Sequence, residues 1–280
     1  MKYGINIFAT EYTAQPDELG RQVEARGFES LWFPEHTHIP AARLAPWAGG
    51  PVLPREYYYS YDPFVACTAA AVATSEIKIG TGICLVIQHH PISMAKAVAT
   101  VDRISNGRFL FGIGGGWNWE EVQHHGTHFK TRWRLLRERV LAMKELWTEE
   151  EAEYHGEFVD FEASIMNPKP VQKPHPPIYM GGDGPTTFDR VIEFCDGWFP
   201  IARGSVPPSL AGKVTDLRRR AEAAGRDPDA LSISLFNCPA TREAVDEAQR
   251  AGVDRVIFGV TPEEPAKVWQ ALDERAKLMG

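Results

Sequence analysis

The residues best suited to chemistry lie in the stretch RFLFGIGGGWNWEE at positions 108–121. An apolar run leads directly into the glycines of residues 112–116, which are followed by two tryptophans and two glutamates. Glycine packs poorly in a strand interior, so a glycine run belongs where another group approaches the backbone. Tryptophan offers a flat surface against which a planar ligand can lie. The stretch predicts either a strand with a cofactor at its carboxyl end or a glycine-rich structural turn with packing tryptophans.

A histidine at the end of another predicted strand is the second candidate. His36 follows an apolar run at residues 30–33, with Pro34 and Glu35 in between. Because imidazole titrates near neutral pH, His36 can give a proton to a developing anion or take one back. A structural histidine is the alternative and the commoner case. We predict that His36 is the proton donor or acceptor of the site.

A second glycine group offers a place for a phosphate. Gly181, Gly182 and Gly184 follow a predicted strand and lead into a predicted helix. Amides at a helix N-terminus attract anions, and the hydroxyl of Thr186 or Thr187 adds a hydrogen bond. The alternative is a plain strand-to-helix turn. An anionic cofactor tail also needs basic partners, for which the candidates are Arg43, Lys169 and Arg203.

Clustered histidines raise the question of a metal site. His124 and His128 are four residues apart with His125 beside them, but Gly126 argues against a rigid helix there. No acidic or cysteine residue completes an obvious ligand set. We therefore expect no metal. His89 and His90 lie just before Pro91 and are assigned either to the wall of a substrate pocket or to a loop.

The elements that must position these residues alternate along the chain. Apolar runs predict eight strands, at residues 3–8, 30–33, 77–86, 108 onward, 177–180, 197–199, 232–236 and 255–260. Helical patterns lie between the strands, and the strongest is at residues 132–147. Eight alternations predict an α/β fold, a single (β/α)8 TIM barrel over residues 1–280, with its chemistry at the strand carboxyl ends. A doubly wound open sheet is the second choice.

Two stretches interrupt the alternation. Residues 37–61 form an insertion after the second strand, and a loop of that length is usually functional or disordered. Residues 149–176 form an irregular segment before the fifth strand, with a small hairpin suggested near residues 157–161. At the carboxyl end, residues 261–264 read as a capping box that opens the last helix, which continues to about Met279.

Composition narrows the classes of function. The net charge is −7 and the densest basic cluster is a single arginine triplet, so nucleic acid is not expected as a partner. No apolar run approaches the roughly 18 residues of a membrane span. The four cysteines lie far apart without a C-x-x-C pair, as in a reducing compartment. Since the start of the chain shows no signal-peptide pattern, we expect a cytoplasmic protein without a membrane.

Five pieces of the chain, in order, resemble the luciferase-like monooxygenase family of flavin and deazaflavin barrels. Gly112–Gly116 with Trp117, Asn118 and Glu121 is similar to the family's fourth strand. The other pieces are GFESLWFPEH at 27–36, IGTGI at 79–83, PIYMGG at 177–182 and DGWF at 196–199. A lone G-x-G is a weak signal, and Trp117 occupies the third position of a dinucleotide fingerprint. Five pieces in the right order are specific.

The resemblance implies a cofactor. The sequence is most similar to the branch that uses the deazaflavin coenzyme F420, and FMN is the alternative. Gly82–Ile83 matches a bulge behind the cofactor ring, often with a non-prolyl cis peptide, although an ordinary bulged strand is equally compatible. Glu120 is expected to face water. The cofactor-binding residues implied besides Gly82 and Ile83 are Gly114, Gly115, Gly116, Asn118, Glu121, Gly181, Gly182, Gly184 and Thr186.

The resemblance also implies the catalytic residues and the pocket. The family has an acid–histidine pair at this place, which assigns a catalytic role to Glu35 together with His36. Trp117, Trp119 and His89 are assigned to the substrate pocket, with core packing as the alternative for either tryptophan. Aromatic walls favour an apolar or ring-shaped small-molecule substrate.

The implied activity is an oxidoreductase that transfers a hydride between coenzyme F420 and a small organic substrate. The alternative is an FMN-dependent monooxygenase supplied by a partner flavin reductase, with residues 37–61 as a lid. A flavin- or deazaflavin-binding protein without catalysis is a further alternative, and a metal-dependent barrel hydrolase is the last. Family habit implies a homodimer.

Overall fold

Eight parallel strands close into a barrel. The computed structural model describes residues 1–279. Its strands are β1 (Lys2–Asn6), β2 (Ser30–Phe33), β3 (Lys78–Cys84), β4 (Phe109–Ile113), β5 (Ala152–His155), β6 (Asp160–Ser164), β7 (Ile178–Gly181), β8 (Gly197–Phe199), β9 (Ser232–Phe236) and β10 (Arg255–Gly259). The barrel order is β1-β10-β9-β8-β7-β4-β3-β2, while β5 and β6 form a separate hairpin. The closed order confirms the predicted (β/α)8 barrel over the open sheet.

Helices surround the barrel. They are α1 (Pro16–Ala25), α2 (Glu56–Tyr59), α3 (Pro63–Val72), α4 (Pro91–Ile104), α5 (Trp119–His124), α6 (Arg132–Thr148), α7 (Thr187–Phe194), α8 (Leu210–Ala223), α9 (Arg242–Arg250) and α10 (Pro265–Ala276). Their starts follow local chemistry. For example, Asp62 accepts hydrogen bonds from the amides of Phe64 and Val65 and so caps α3. Within residues 1–279, no helix combines the length and the apolar character needed to cross a membrane.

The last helix begins later than predicted. α10 starts at Pro265, so residues 261–264 are not its first turn. Glu264 is held at ψ 146°, since the ring of a following proline disfavours the helical conformation. Pro265, rather than Pro262, therefore occupies the first helical position.

The inside of the barrel is filled below its mouth. The side chains that fill it form one apolar cluster, namely Trp32, Leu110, Tyr179, Phe199, Phe236 and Ile257. At the amino ends of the strands, Arg255 Nη2 donates to Glu29 Oε1 at 2.8 Å. Burial raises the pKa of Glu29, but the hydrogen bond and charge of Arg255 outweigh it and hold that pKa low. The filled interior leaves the carboxyl ends of the strands as the place for a ligand.

The insertion after β2 is tied down over this mouth. Near its end, the Tyr61 amide donates to the carbonyl of Ala9 at 2.9 Å, and Ser60 Oγ donates to the carbonyl of His36 at 3.0 Å. In its middle, Glu120 Oε1 accepts from the Leu44 amide at 2.6 Å. Glu120 is half-exposed, and its carboxylate also accepts from amides of the insertion, which need a partner.

Candidate active site

A hydrogen-bonded histidine and glutamate form the centre of the site. His36 follows β2, Glu121 lies in α5, and His36 Nδ1 is 2.8 Å from Glu121 Oε2. Their side chains are only 7% and 1% exposed. A carboxylate accepts but does not donate, so Nδ1 carries the hydrogen and Nε2 stays available for a substrate proton. Glu121 Oε1 also accepts from the Thr37 amide at 3.2 Å, which orients the carboxylate.

The acid beside His36 is therefore Glu121, and Glu35 lies elsewhere. Successive side chains of an extended chain point to opposite sides, so Glu35 turns away from the mouth. It is fully buried, with His89 Nε2 at 2.5 Å from Oε1 and the Leu85 amide at 2.5 Å from Oε2. The predicted catalytic role of Glu35 is corrected to a structural one.

Glu35 and His89 behave as an ion pair. Burial disfavours the charge on both groups, but their hydrogen bond and mutual attraction outweigh it. The pKa of Glu35 is lowered and that of His89 is raised. His89 keeps a quarter of its side chain exposed. Its first partner is nevertheless Glu35 rather than a pocket ligand.

Two of the clustered histidines meet the start of the insertion, where the His38 ring centroid lies 5.1 Å from that of His124 and 5.6 Å from that of His125. His124 Nδ1 lies 2.8 Å from Nε2 of His38, and His125 Nε2 lies 2.7 Å from Oγ1 of Thr37. These bonds tie the start of the insertion to the end of α5. Within residues 1–279, the group whose ligand atoms come within 4.8 Å of one another is Glu35, Cys84 and His89 instead. Its carboxylate is already occupied by protein donors.

Ile83 lines the wall that β3, β4 and β7 make around the mouth. The Gly82–Ile83 peptide bond is cis, and the β3–β4 register shifts after Thr81, as the predicted bulge requires. A Cβ on Gly114 would overlap Cδ1 of Ile83, and one on Gly181 would lie 3.2 Å from Cγ2 of Ile83. Both glycines thus make room for an apolar side chain at the position predicted to lie behind the ring.

The rest of the glycine–tryptophan stretch has partners of its own. A Cβ on Gly115 would lie 2.8 Å from the ring of Trp133, so this glycine is needed for packing. Gly116 has φ +65°, a left-handed conformation that favours glycine. Asn118 caps α5 by accepting from the Glu121 amide at 3.3 Å. Its Nδ2 is buried without a hydrogen-bond partner among the described residues, which suits a ligand acceptor.

The predicted phosphate-binding residues lie at the N-terminus of α7. Thr186 precedes that helix without capping it through its side chain, and Thr187 Oγ1 lies close to Gly182 and Gly184. Thr186 also borders a cleft of about 230 Å³ with Trp133 and Arg190, whose lining includes the carboxylates of Asp189 and Glu193. Amides and hydroxyls at the turn before α7 are of the kind that binds a phosphate.

Two arginines near this cleft lack acidic partners. The guanidinium of Arg190 lies 4.1 Å from the Trp133 ring centroid, and that of Arg132 lies 5.1 Å from it. Within residues 1–279, neither makes an ion pair with a carboxylate, and Arg132 Nε is buried without a partner. Burial, and then the charge of Arg190, lowers the pKa of Arg132. Two unpaired guanidiniums side by side favour an anionic ligand.

The predicted basic partners lie elsewhere. Lys169 donates to the carbonyl of Leu146 at 2.8 Å, near the carboxyl end of α6 and away from the mouth. Its predicted role is therefore wrong. Arg43 stacks 5.4 Å over the ring of Trp117, in the insertion. Arg203 acts electrostatically on Tyr57 of the insertion.

Aromatic side chains cover His36. The centroid of its ring lies 5.8 Å from that of Trp117 and 5.0 Å from that of Tyr57. Trp119 lies apart and packs 6.4 Å from Phe129. Trp117 thus lies beside His36, whereas Trp119 packs against Phe129.

Sequence reasoning did not identify three residues described here, Tyr57, Arg132 and Arg190. It assigned Glu121 to the cofactor and did not pair it with His36. The two arginines could have been noticed in the sequence, since both lie at the start of a helix. Arg132 is the first residue of α6, and Arg190 is the fourth residue of α7. Tyr57 could not have been noticed in this way. It lies in the insertion, and a loop without periodicity does not reveal which side chain turns inward.

The arrangement fits a flat ring with an anionic tail. Ile83 supplies an apolar surface, Asn118 supplies an unused buried donor, and the turn before α7 with two unpaired arginines supplies an anion site. His36 lies at the same end of the barrel, where it can exchange a proton. These features match the parts of FMN and of coenzyme F420 that are alike.

Sequence comparison places these features in a known family. The luciferase-like monooxygenase profile matches residues 6–277. An uncharacterized protein of Mycobacterium tuberculosis is 38% identical over 286 residues, which cover 99% of both chains. An FMNH(2)-dependent dimethylsulfone monooxygenase of Pseudomonas putida is 30% identical over 198 residues, which cover 70% of this chain and 53% of that protein.

Solved structures show the same fold. A monooxygenase from Streptomyces bottropensis superposes with a TM-score of 0.79 at 20% identity, covering 100% of this chain and 98% of that chain. An F420-dependent secondary alcohol dehydrogenase, in complex with an F420–acetone adduct, superposes with a TM-score of 0.77 at 20% identity. That match covers 99% of this chain and 98% of the other.

Proposed function

Because the chain belongs to the luciferase-like monooxygenase family, we propose that it is an oxidoreductase that transfers a hydride between coenzyme F420 and a small organic substrate. The observation that carries the proposal is the buried His36–Glu121 pair, with Nδ1 and Oε2 2.8 Å apart at the barrel mouth. Hydride transfer to or from a carbon that bears oxygen needs a proton at that oxygen. A histidine held by a carboxylate supplies it.

Different residues of the chain bind the cofactor and exchange a proton with the substrate. When bound, a deazaflavin gives or takes a hydride at its ring. His36 Nε2 gives the substrate a proton or takes one from it, while Glu121 keeps Nδ1 protonated and stabilises the imidazolium when it forms. Ile83 supports a ring face, and Asn118 Nδ2 is a donor for a ring or ribityl oxygen. Arg132 and Arg190, with the turn before α7, hold the phosphate.

The second candidate is an FMN-dependent monooxygenase that receives reduced flavin from a partner reductase. It is favoured by the relative from Pseudomonas putida, described as FMNH(2)-dependent, although this chain spans about half of that protein's length. The aromatic cover of the insertion over His36 would also serve such an enzyme by excluding water. Neither the wall at Ile83 nor the anion site distinguishes the two cofactors.

Titration of the purified protein with each cofactor tests both proposals. F420 and FMN fluorescence are followed in parallel, together with riboflavin, which lacks the phosphate. Saturable F420 binding followed by reduction of F420 with alcohols or oxidation of reduced F420 with ketones would support the lead proposal. Binding of FMN alone would overturn it in favour of the monooxygenase. Binding of none of the three would overturn both.

A further inference from the structure

Tyr57 places its ring beside the catalytic histidine from an element outside the barrel. It lies in α2, the short helix of the insertion, and its ring centroid is 5.0 Å from that of His36. Phe8, which follows β1, contacts the other side with a centroid distance of 4.9 Å. Tyr57 thus spans the mouth between β1 and β2. Tyr58 and Tyr59, its neighbours in the helix, are 54% and 41% exposed.

The hydroxyl of Tyr57 has a donor and lacks an acceptor. Trp47 Nε1 donates to it at 3.2 Å, and within residues 1–279 no group accepts its hydrogen. Burial raises the pKa of Tyr57, so the hydroxyl keeps that hydrogen at neutral pH. The indole therefore orients the hydroxyl oxygen and leaves the hydrogen for an outside acceptor.

His36 also has a polar atom that no protein group uses. Its Nδ1 is occupied by Glu121, and within the described residues Nε2 has no hydrogen-bond partner. Two polar groups that the protein leaves unused beside one another suit a ligand that uses them. An alcohol satisfies both, because its O–H donates to Nε2 while its oxygen accepts from Tyr57. A ketone oxygen accepts from Tyr57, and also from Nε2 when the imidazole carries its second proton.

We propose that Tyr57 is a substrate-binding residue that, together with His36, selects small ketones or secondary alcohols by hydrogen-bonding to their oxygen. The inference rests on the proposed function and names its substrate class. In alcohol oxidation, the C–H bond breaks with its electron pair passing to the deazaflavin, and the O–H proton passes to His36 Nε2. Tyr57 donates a hydrogen bond to the oxygen throughout and transfers no proton. Ketone reduction is the reverse.

The test removes the hydroxyl and keeps the ring. Tyr57→Phe is compared with Tyr58→Phe, which makes the same change on the exposed side of the same helix. The probes are cyclohexanone and methylcyclohexane, added to protein saturated with oxidised F420. Their dissociation constants are measured by saturation-transfer NMR. Trp47→Phe, which removes the orienting donor, is a third variant.

We expect Tyr57→Phe to bind cyclohexanone about tenfold more weakly, the effect of one lost hydrogen bond. Trp47→Phe should show a smaller loss, Tyr58→Phe none, and methylcyclohexane should bind all four proteins alike. With a reactive alcohol, Tyr57→Phe should raise KM more than it lowers kcat. The F420 dissociation constant and the melting temperature should stay at the wild-type values.

Two results would overturn the inference. The first is a wild-type protein that binds F420 but does not prefer cyclohexanone to methylcyclohexane. The second is unchanged cyclohexanone binding in Tyr57→Phe. In both cases F420 binding is intact, so the proposed function survives. Failure of the wild-type protein to bind F420 overturns the proposed function itself and is observed before any variant is made.

Discussion

Two glutamate–histidine pairs have a buried glutamate, and Glu35 of one pair is the sequence neighbour of His36 of the other. Glu35 pairs with His89 at 2.5 Å, and the next residue, His36, pairs with Glu121 at 2.8 Å. In the first pair the carboxylate also binds the Leu85 amide, just after the bulge of β3. In the second pair the histidine keeps Nε2 unused under an aromatic cover.

The comparison shows that residue type and burial do not separate a structural pair from a reactive one. Both glutamates are almost completely buried, with 1% of each side chain exposed. The two pairs differ in where they lie and what surrounds them. Glu35 binds His89 and the Leu85 amide just after the Gly82–Ile83 bulge, whereas His36 lies beside the aromatic rings of Tyr57 and Trp117. The four predictions below separate the two pairs.

The largest effect is expected at the reactive pair. His36→Asn should lower kcat by roughly 10² to 10⁴, the usual contribution of a general acid or base. Cofactor binding should stay within about twofold, since the imidazole is not needed to hold a ring or phosphate. Fluorescence titration and steady-state turnover measure the two quantities. Asparagine at the exposed His155 is the control, and undiminished turnover in His36→Asn would contradict the mechanism.

Breaking the Glu35–His89 pair should lower the stability of the protein rather than its turnover. His89→Asn leaves the Glu35 carboxylate buried without its cation, which should lower the free energy of unfolding by about 3 kcal/mol. Urea denaturation followed by circular dichroism measures this change. At a temperature where the variant is folded, kcat should remain near the wild-type value. A His89→Asn protein that is stable but inactive would reverse the roles of the two pairs.

Removing either arginine of the proposed anion site should weaken cofactor binding. Arg132→Met and Arg190→Met should each raise the dissociation constant of the phosphate-bearing cofactor about tenfold, because each removes a charge-assisted hydrogen bond. Binding of riboflavin should not change. Arg219→Met, on an exposed part of α8, is the matched control. Equal losses for riboflavin and for the phosphate-bearing cofactor would show that the arginines support the fold rather than bind phosphate.

The smallest effect concerns pH. The pKa of His89 is raised by Glu35 against the effect of burial. The stability from this pair is therefore complete below the ordinary histidine pKa of about 6.5 and is lost as pH rises through the folded value. The difference in unfolding free energy between wild type and His89→Asn should shrink between about pH 6 and pH 9. A constant difference would show that His89 is not charged in the folded protein.

Sequence patterns predicted the framework well. Alternating apolar runs and helical stripes located all eight barrel strands. The glycine at position 114 marks a close approach to the backbone, because a Cβ there would overlap Ile83. Local chemistry decides such features, since strand periodicity and glycine geometry depend on neighbouring residues. The start of α10 was missed for a local reason too, as the second of two nearby prolines proved decisive.

The hydrogen-bond partners of Glu35 and His36 could not be predicted from the sequence. The residues of the His36–Glu121 pair are separated by 85 positions and those of the Glu35–His89 pair by 54. Nothing local distinguishes Glu35, the chain neighbour of His36, from Glu121, its true partner. The choice is made by the side to which each residue points as it leaves β2, and by the helix that then packs against that side.

The sequence by itself determined the barrel, the position of His36 at its mouth and the family to which the chain belongs. Only the tertiary structure decided which acid orients that histidine, which arginines lie unpaired beside α7, and that Tyr57 covers the site. The physical reason is that strand and helix patterns depend on the spacing of residues that are close together in the sequence. Pairing of polar groups across the mouth depends instead on how separate elements close around a common axis.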